Sequence, residues 1–97
     1  MASIDLETAL LQALASGPSY GLELITRVRT NPDADVAINE GNVYPALRAM
    51  EREGLLESYE GDPLPERGGR PRRYYKLTDE GLKRGASAAF YKGTGLE

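Results

Sequence analysis

The fold is decided by one stretch of the chain, residues 39–54. It runs Asn39-Glu40-Gly41-Asn42-Val43-Tyr44-Pro45-Ala46-Leu47-Arg48-Ala49-Met50-Glu51-Arg52-Glu53-Gly54. The apolar residues Val43, Leu47 and Met50 are separated by four and three positions, which is the spacing of the buried face of a helix. Gly54 is expected to end this helix, because glycine readily adopts the left-handed backbone conformation found just beyond a helix.

Two asparagines and a proline bear on where this helix starts. Asn39 is the expected N-cap, with Asn42 as the alternative, because an asparagine side chain can accept a hydrogen bond from a free N–H of the first turn. Pro45 must lie in the first turn or two, since a proline deeper in a helix removes a hydrogen bond and clashes with a preceding carbonyl.

The other side of the helix carries polar side chains. Tyr44, Arg48 and Arg52 recur at intervals of four, and their tips could donate hydrogen bonds to the phosphates or base edges of a nucleic acid. Glu51 and Glu53 make the C-terminal end unfavourable for that purpose. Contact with a nucleic acid is therefore expected from the N-terminal half.

Two strand-like segments follow, at residues 55–59 and 72–77, with an arginine- and glycine-rich loop between them. In the second segment Tyr75 and Leu77 share a face, with Arg73 beyond them. The pattern predicts a two-stranded hairpin with a long basic tip. Thr78 is expected to cap a last, short helix.

The residues before the central stretch predict two further helices. One covers residues 5–15 and ends at Gly17-Pro18, since proline cannot continue a helix. The second is expected to open with Ser19 as its N-cap. Its inward face is predicted from Leu22, Ile25 and Val28, with Leu24 beside them.

Composition limits the function. The chain has 97 residues, which is one small domain, and it contains neither cysteine nor histidine. Disulfides, thiolate metal sites and most nucleophile–base pairs are therefore excluded, and no cofactor is expected. The adjacent Asp79 and Glu80 are interpreted as charges at a helix start and not as a catalytic pair. The lack of cysteine fits a reducing cytoplasm. The acidic N-terminus and the lack of a long apolar run argue against a signal peptide or a membrane partner.

Charge is unevenly distributed along the chain. The formal net charge is −3, but residues 67–84 hold seven basic and two acidic residues, whereas residues 1–40 hold two basic and six acidic ones. Since salt screens interactions beyond roughly 8–10 Å, the local potential of the basic segment matters more than the total. An arginine-rich loop alone is usually a solvated turn. Its position between two strands favours nucleic-acid binding here.

Four short motifs together resemble the PadR family of bacterial transcriptional regulators. They lie at residues 14–21 (Leu-Ala-Ser-Gly-Pro-Ser-Tyr-Gly), 41–47 (Gly-Asn-Val-Tyr-Pro-Ala-Leu), 50–56 (Met-Glu-Arg-Glu-Gly-Leu-Leu) and 69–81 (Gly-Arg-Pro-Arg-Arg-Tyr-Tyr-Lys-Leu-Thr-Asp-Glu-Gly). Each motif is weak alone, but their order and spacing match across most of residues 6–84.

The resemblance implies a mainly α-helical winged helix-turn-helix: a three-helix core, a two-stranded wing and a short C-terminal helix. It also implies a homodimer that binds double-stranded DNA, with the third helix in the major groove and the wing on the backbone or in a minor groove. The implied DNA contacts are Tyr20 near the second helix, Asn42, Tyr44 and Arg48 on the third, and Arg70, Arg72 and Arg73 on the wing. Two-fold symmetry would then require a pseudo-palindromic site with half-site centres about 34–36 Å apart.

The C-terminus departs from the family pattern. Residues 1–84 are expected to form the DNA-binding domain, which leaves residues 85–97 as a short helix or tail that could contribute to a dimer. Relatives commonly carry long C-terminal helices that build the dimer and can hold a small-molecule effector.

The expected function is a sequence-specific transcriptional regulator, acting as a repressor. The alternative is a winged-helix module that binds a protein, which the six acids among residues 51–66 favour slightly.

Overall fold

The computed structural model describes residues 4–61 and 72–85. Within them, three α-helices and three β-strands have defined bounds: α1 (Leu6–Leu14), β1 (Ser19–Tyr20), α2 (Gly21–Arg29), α3 (Glu40–Arg52), β2 (Leu56–Glu60) and β3 (Arg73–Leu77). Residues 79–85 are also helical and are called α4. The predicted tip arginine Arg70 and nearly all of the predicted 85–97 tail lie outside the described residues.

The first helix is closed at both ends by local chemistry. Asp5 is its N-cap, and the carboxylate oxygen Oδ1 accepts a hydrogen bond from the N–H of Thr8 at 2.9 Å. This bond is the main reason that the pKa of Asp5 lies below its ordinary value. Gly17 follows the helix with φ of 131°, a conformation that L side chains rarely adopt. The predicted stop at Gly17-Pro18 is confirmed.

The predicted start of the second helix is wrong. Ser19 is not an N-cap: Ser19 and Tyr20 form β1, which pairs antiparallel with β3, and α2 begins at Gly21. Ser19 is fully buried, and its hydroxyl donates a hydrogen bond to Oε1 of Glu23 at 2.6 Å. A pairing with a strand more than fifty residues later has overridden the local capping preference.

This later start also shifts the buried face of α2. Gly21, Leu24, Ile25 and Val28 are buried, whereas Leu22 is 43% exposed. The buried positions follow the spacing of three, four and seven from Gly21 that is typical of an amphipathic helix. The prediction that Leu22 points inward is therefore wrong.

The wing is part of a three-stranded antiparallel sheet with strand order β1-β3-β2. The predicted hairpin of β2 and β3 is present, with Leu56 opposite Leu77 and Glu60 opposite Arg73. The prediction lacked the third strand, β1, which makes β3 the central strand. The wing is thereby joined to the start of α2 through Tyr74 and Tyr75.

One hydrophobic core holds these elements together. Its buried members come from α1, α2, α3, the sheet and the segments that flank α3: Ala9, Leu10, Leu11, Leu14, Leu24, Ile25, Val28, Ile38, Val43, Leu47, Met50, Leu55, Leu56 and Tyr75. The predicted buried face of α3, formed by Val43, Leu47 and Met50, is confirmed. No helix in the described part of the chain has the length and apolarity needed to cross a membrane.

The residues after α3, Gly54 and Leu55, contact the start of α4. Gly54 has φ of 81° and ends α3 as predicted. Thr78 caps α4 as predicted, because its Oγ1 accepts a hydrogen bond from the N–H of Gly81 at 3.0 Å, and the same hydroxyl donates to the carbonyl of Gly54 at 2.6 Å. A Cβ at Gly81 would collide with the carbonyl oxygen of Leu55. The start of α4 is thus packed directly on the chain between α3 and β2.

Candidate nucleic-acid interface

The N-terminus of α3 is closed by a reciprocal capping box. Oδ1 of Asn39 accepts from the N–H of Asn42 at 3.1 Å, and Oδ1 of Asn42 accepts from the N–H of Asn39 at 2.9 Å. Asn39 is therefore the N-cap, as predicted, and Asn42 occupies the third helical position. Nδ2 of Asn42 also donates to the carbonyl of Ala37 at 2.9 Å. The predicted contact residue Asn42 thus holds the preceding loop on the helix.

Tyr44 joins α3 to α2. Its side chain is half-buried and packs on the core. A Cβ at Gly21 would collide with the Tyr44 ring and hydroxyl, so the tyrosine lies directly over the first residue of α2. This predicted contact residue therefore also sets the distance between the two helices of the helix-turn-helix.

A continuous stripe of α3 remains exposed to solvent. It consists of Gly41, Pro45, Arg48 and Arg52, and all four are exposed. Their spacing of four, three and four positions places them along one side of the helix. We call this stripe the α3 free edge. It contains the predicted residue Arg48, and it adds Gly41 and Pro45, which the sequence argument had not assigned to DNA contact.

The outer face of the sheet carries a row of three tyrosines, one from each strand. The ring centroid of Tyr74 lies 5.5 Å from that of Tyr20, with the rings at 71°, and 5.6 Å from that of Tyr59, with the rings at 17°. The guanidinium carbon of Arg72 lies 4.3 Å from the centroid of the Tyr20 ring. Two predicted contact residues, Tyr20 and Arg72, are therefore in direct contact with each other.

Arg73 belongs to the inner side of the sheet. Its Nη2 donates to Oγ of Ser58 at 2.8 Å, and Ser58 donates in turn to Oε2 of Glu51 at 2.8 Å. The Arg73 guanidinium also lies 3.9 Å from Oε1 of Glu51. These three residues link β3, β2 and the C-terminal half of α3. The link fixes the angle between the wing and α3.

The structure therefore separates the predicted contact residues into three groups. Asn42, Tyr44 and Arg48 lie on α3, Tyr20 and Arg72 meet at the loop end of the wing's strands, and Arg73 faces Glu51; Arg70 lies outside the described residues. The sequence argument missed Tyr59 and Tyr74 on the outer face and Ser58 on the inner one. Alternation along the two strands was the signal that could have found them. In the described ranges, no three acidic side chains lie close enough together to hold a metal ion.

The arrangement defines a winged helix-turn-helix protein. The model of the transcriptional regulator PadR-like family matches residues 10–87. The chain belongs to that family. No curated protein matches it significantly.

Several solved structures have the same fold. A transcriptional regulator from Clostridium thermocellum is 30% identical, with a TM-score of 0.72, over 93% of this chain and 84% of that one. A PadR family transcription regulator from Clostridium difficile is 26% identical, with a TM-score of 0.71, over 93% of this chain and 91% of that one. Bacillus subtilis PadR in complex with operator DNA is 19% identical, with a TM-score of 0.74, over 87% of this chain and 46% of that one. The last likeness is one of fold alone.

Proposed function

We propose that the chain is a DNA-binding transcriptional repressor that acts as a homodimer on a pseudo-palindromic operator. The observation that carries this proposal is the α3 free edge: a stripe with two arginines on a helix whose opposite face is buried. Because the capping box and the buried face hold α3 rigidly, the edge can enter a major groove without first becoming ordered. Bacillus subtilis PadR, which has the same fold, was solved in complex with operator DNA, and this supports DNA as the partner.

Three of the four residues of the edge have a proposed role. Arg48 would donate two hydrogen bonds to one guanine, the commonest specific contact in a major groove. Gly41 and Pro45 leave the helix start narrow, so that the backbone can approach the DNA closely. Asn42 and Tyr44 would contact the DNA from the flank of the edge, within the limits set by their bonds inside the protein.

The wing would supply contacts that do not depend on sequence. Arg70 and Arg72 are the proposed phosphate contacts, and neutralising phosphates releases counterions, which makes binding salt-dependent. Arg72 suits this role because no acidic residue in the described ranges forms an ion pair with it. The DNA contacts predicted for Tyr20 and Arg73 are not part of this proposal: the Tyr20 ring contacts Arg72, and Arg73 is bonded to Ser58 and faces Glu51.

The dimer follows from the proposed operator symmetry. Two copies of α3 would occupy half-sites about 34–36 Å apart, one helical turn of DNA. Residues 85–97 would contribute to the contact between subunits together with α1. Our proposal does not require a small-molecule effector between the subunits.

Selection of bound duplexes from a random pool, followed by titration of the selected duplex, tests the proposal. We expect a palindromic consensus and affinity that falls steeply with salt. Arg48→Ala should cost about 1–3 kcal/mol on the selected duplex and relax the preference at one base pair. Arg52→Ala is the matched control, because it removes the same charge one turn nearer to Glu51 and Glu53.

The outcomes separate the two functions considered above. A selected palindrome and a larger loss for Arg48→Ala than for Arg52→Ala support a sequence-specific regulator. Very weak binding with no salt dependence and no consensus would contradict it. Capture of a protein partner by a chain that ignores DNA would instead support the interaction module.

A further inference from the structure

Arg72 lies where the chain leaves the basic loop of the wing and reaches β3, and its guanidinium lies over an aromatic ring. The distance of 4.3 Å from its carbon to the Tyr20 centroid is that of a cation–π contact. Nε of Arg72 is buried and has no hydrogen-bond partner among the described residues. The ring is therefore the principal described contact of this guanidinium, and no described acceptor orients its Nε.

Tyr20 is itself held from three sides. Its backbone pairs with Tyr74 in the sheet, and its ring meets the edge of the Tyr74 ring at 71°. Tyr20 is also the N-cap residue of α2, so its backbone is tied to the first turn of that helix. Tyr74 in turn is held over the backbone of Gly61, where a Cβ would collide with its ring. The backbone of Tyr20 is thus fixed by the sheet and by α2, and its ring contacts both the Tyr74 ring and the Arg72 guanidinium.

We propose that Tyr20 is a positioning residue for Arg72: its ring holds the guanidinium at the loop end of β2 and β3 in the orientation in which it meets a DNA phosphate. The DNA part of this inference rests on the function proposed above, whereas the contact itself does not. An arginine side chain loses much rotational freedom when it binds, and a guanidinium that is already stacked loses less. The aromatic ring, and not the tyrosine hydroxyl, is the part that matters.

The contact can be tested in the free protein by NMR. Burial slows exchange of the Nε–H proton of Arg72, and a ring beneath the guanidinium shifts its resonance. We expect Tyr20→Phe to leave this resonance unchanged and Tyr20→Leu to move it toward the ordinary position for an exposed arginine. An identical resonance in the wild type and in Tyr20→Leu would overturn the proposed contact.

The positioning role can be tested by a double-mutant cycle on duplex DNA at fixed salt. Tyr20→Leu should weaken binding about two- to five-fold, the range expected for one partly exposed cation–π contact. It should have no further effect in a chain that already carries Arg72→Ala. Tyr20→Phe should bind like the wild type. Arg72→Lys keeps the charge but loses the planar stack, so Tyr20→Leu should weaken this variant less than it weakens the wild type.

Two results would overturn the inference. An equal loss for Tyr20→Phe and Tyr20→Leu would assign the role to the hydroxyl, acting directly on phosphate. Losses for Tyr20→Leu and Arg72→Ala that multiply in the double variant would show that the two residues act independently. If the wild type binds no duplex at all, the proposed function fails with the positioning role, and the NMR comparison still decides whether the contact exists.

Discussion

The two faces of the three-stranded sheet contain the same kinds of residue in opposite situations. On the outer face Arg72 rests on Tyr20, beside a row of aromatic rings that are partly open to solvent. On the inner face Arg73 is bonded to Ser58 and faces Glu51, next to the buried Tyr75. The neighbouring arginines differ because successive side chains of a strand point to opposite faces.

Arginines that are adjacent in sequence, such as Arg72 and Arg73, therefore need not form one basic surface patch. Arg72 has no acidic partner in the described part of the chain, so its charge stays available to a polyanion. The charge of Arg73 is partly offset by Glu51, which lies on the helix proposed to enter the major groove. One face of the sheet is suited to holding DNA, and the other to holding the wing on α3.

The largest expected effect separates the tyrosines of the two faces. Tyr75→Ala should lower the free energy of unfolding by about 3–5 kcal/mol, because it empties the space of a large aromatic side chain in the core. Tyr75 is only 4% exposed. Tyr59→Ala, on the outer face, is the matched control and should cost much less, since Tyr59 is 42% exposed. Urea denaturation of both variants measures the difference, and equal losses would contradict the assignment of faces.

A smaller effect is expected at the link between the wing and α3. Ser58→Ala should cost about 1 kcal/mol of stability, because it removes two hydrogen bonds that join Arg73 to Glu51. Arg73→Ala should cost a similar amount, and the double variant should cost little more than either single one.

Lys76→Ala is the control for that link. Lys76 lies on the outer face of the same strand and forms an exposed ion pair with Glu57 at 3.7 Å. Exposed pairs contribute little, so the loss should stay below about 0.5 kcal/mol. A loss for Lys76→Ala as large as that for Ser58→Ala would mean that the inner link is an ordinary surface contact.

The sequence predicted the local features behind this contrast: the helix caps, the helix stop and the alternation of β3. The caps at Asn39 and Thr78 and the stop at Gly54 follow from local backbone chemistry, which short motifs encode. The alternation of β3 correctly placed Tyr75 and Leu77 on one face, with Arg73 beyond them.

The sequence did not predict which residues far apart in the chain contact each other. β1 has only two residues and no periodicity of its own, so its pairing with β3 was missed and Ser19 was misassigned as a cap. The same holds for the contacts of Arg72 with Tyr20 and of Arg73 with Glu51, which join segments more than twenty residues apart. Such contacts depend on how the elements pack, and no local pattern reports them.

The smallest expected effect is the change in stability with pH that arises from Asp5, the N-cap of α1. The folded protein holds the pKa of Asp5 below its ordinary value, chiefly through the bond from Thr8. The ionised carboxylate thus stabilises the protein above the ordinary pKa, and this stabilisation is lost as pH falls through the lowered value.

Asp5→Asn keeps an N-cap side chain but cannot titrate. At neutral pH the wild type should be more stable than this variant by about 0.3–0.5 kcal/mol, a small figure because solvent screens the exposed charge. The difference should vanish in acid. Denaturation midpoints of both proteins over a pH series measure it, and a difference that persists below the lowered pKa would contradict the assignment.

The central claim is that Arg72 contacts a DNA phosphate, whereas Arg73 holds the wing on α3. Titration of a mixed-sequence duplex over a salt series, with the wild type, Arg72→Ala and Arg73→Ala, tests it most directly. The claim predicts that Arg72→Ala lowers the slope of log affinity against log salt by about one. Arg73→Ala should leave the slope unchanged while lowering stability. Equal decreases in slope for both variants, or a decrease for Arg73→Ala alone, would contradict it.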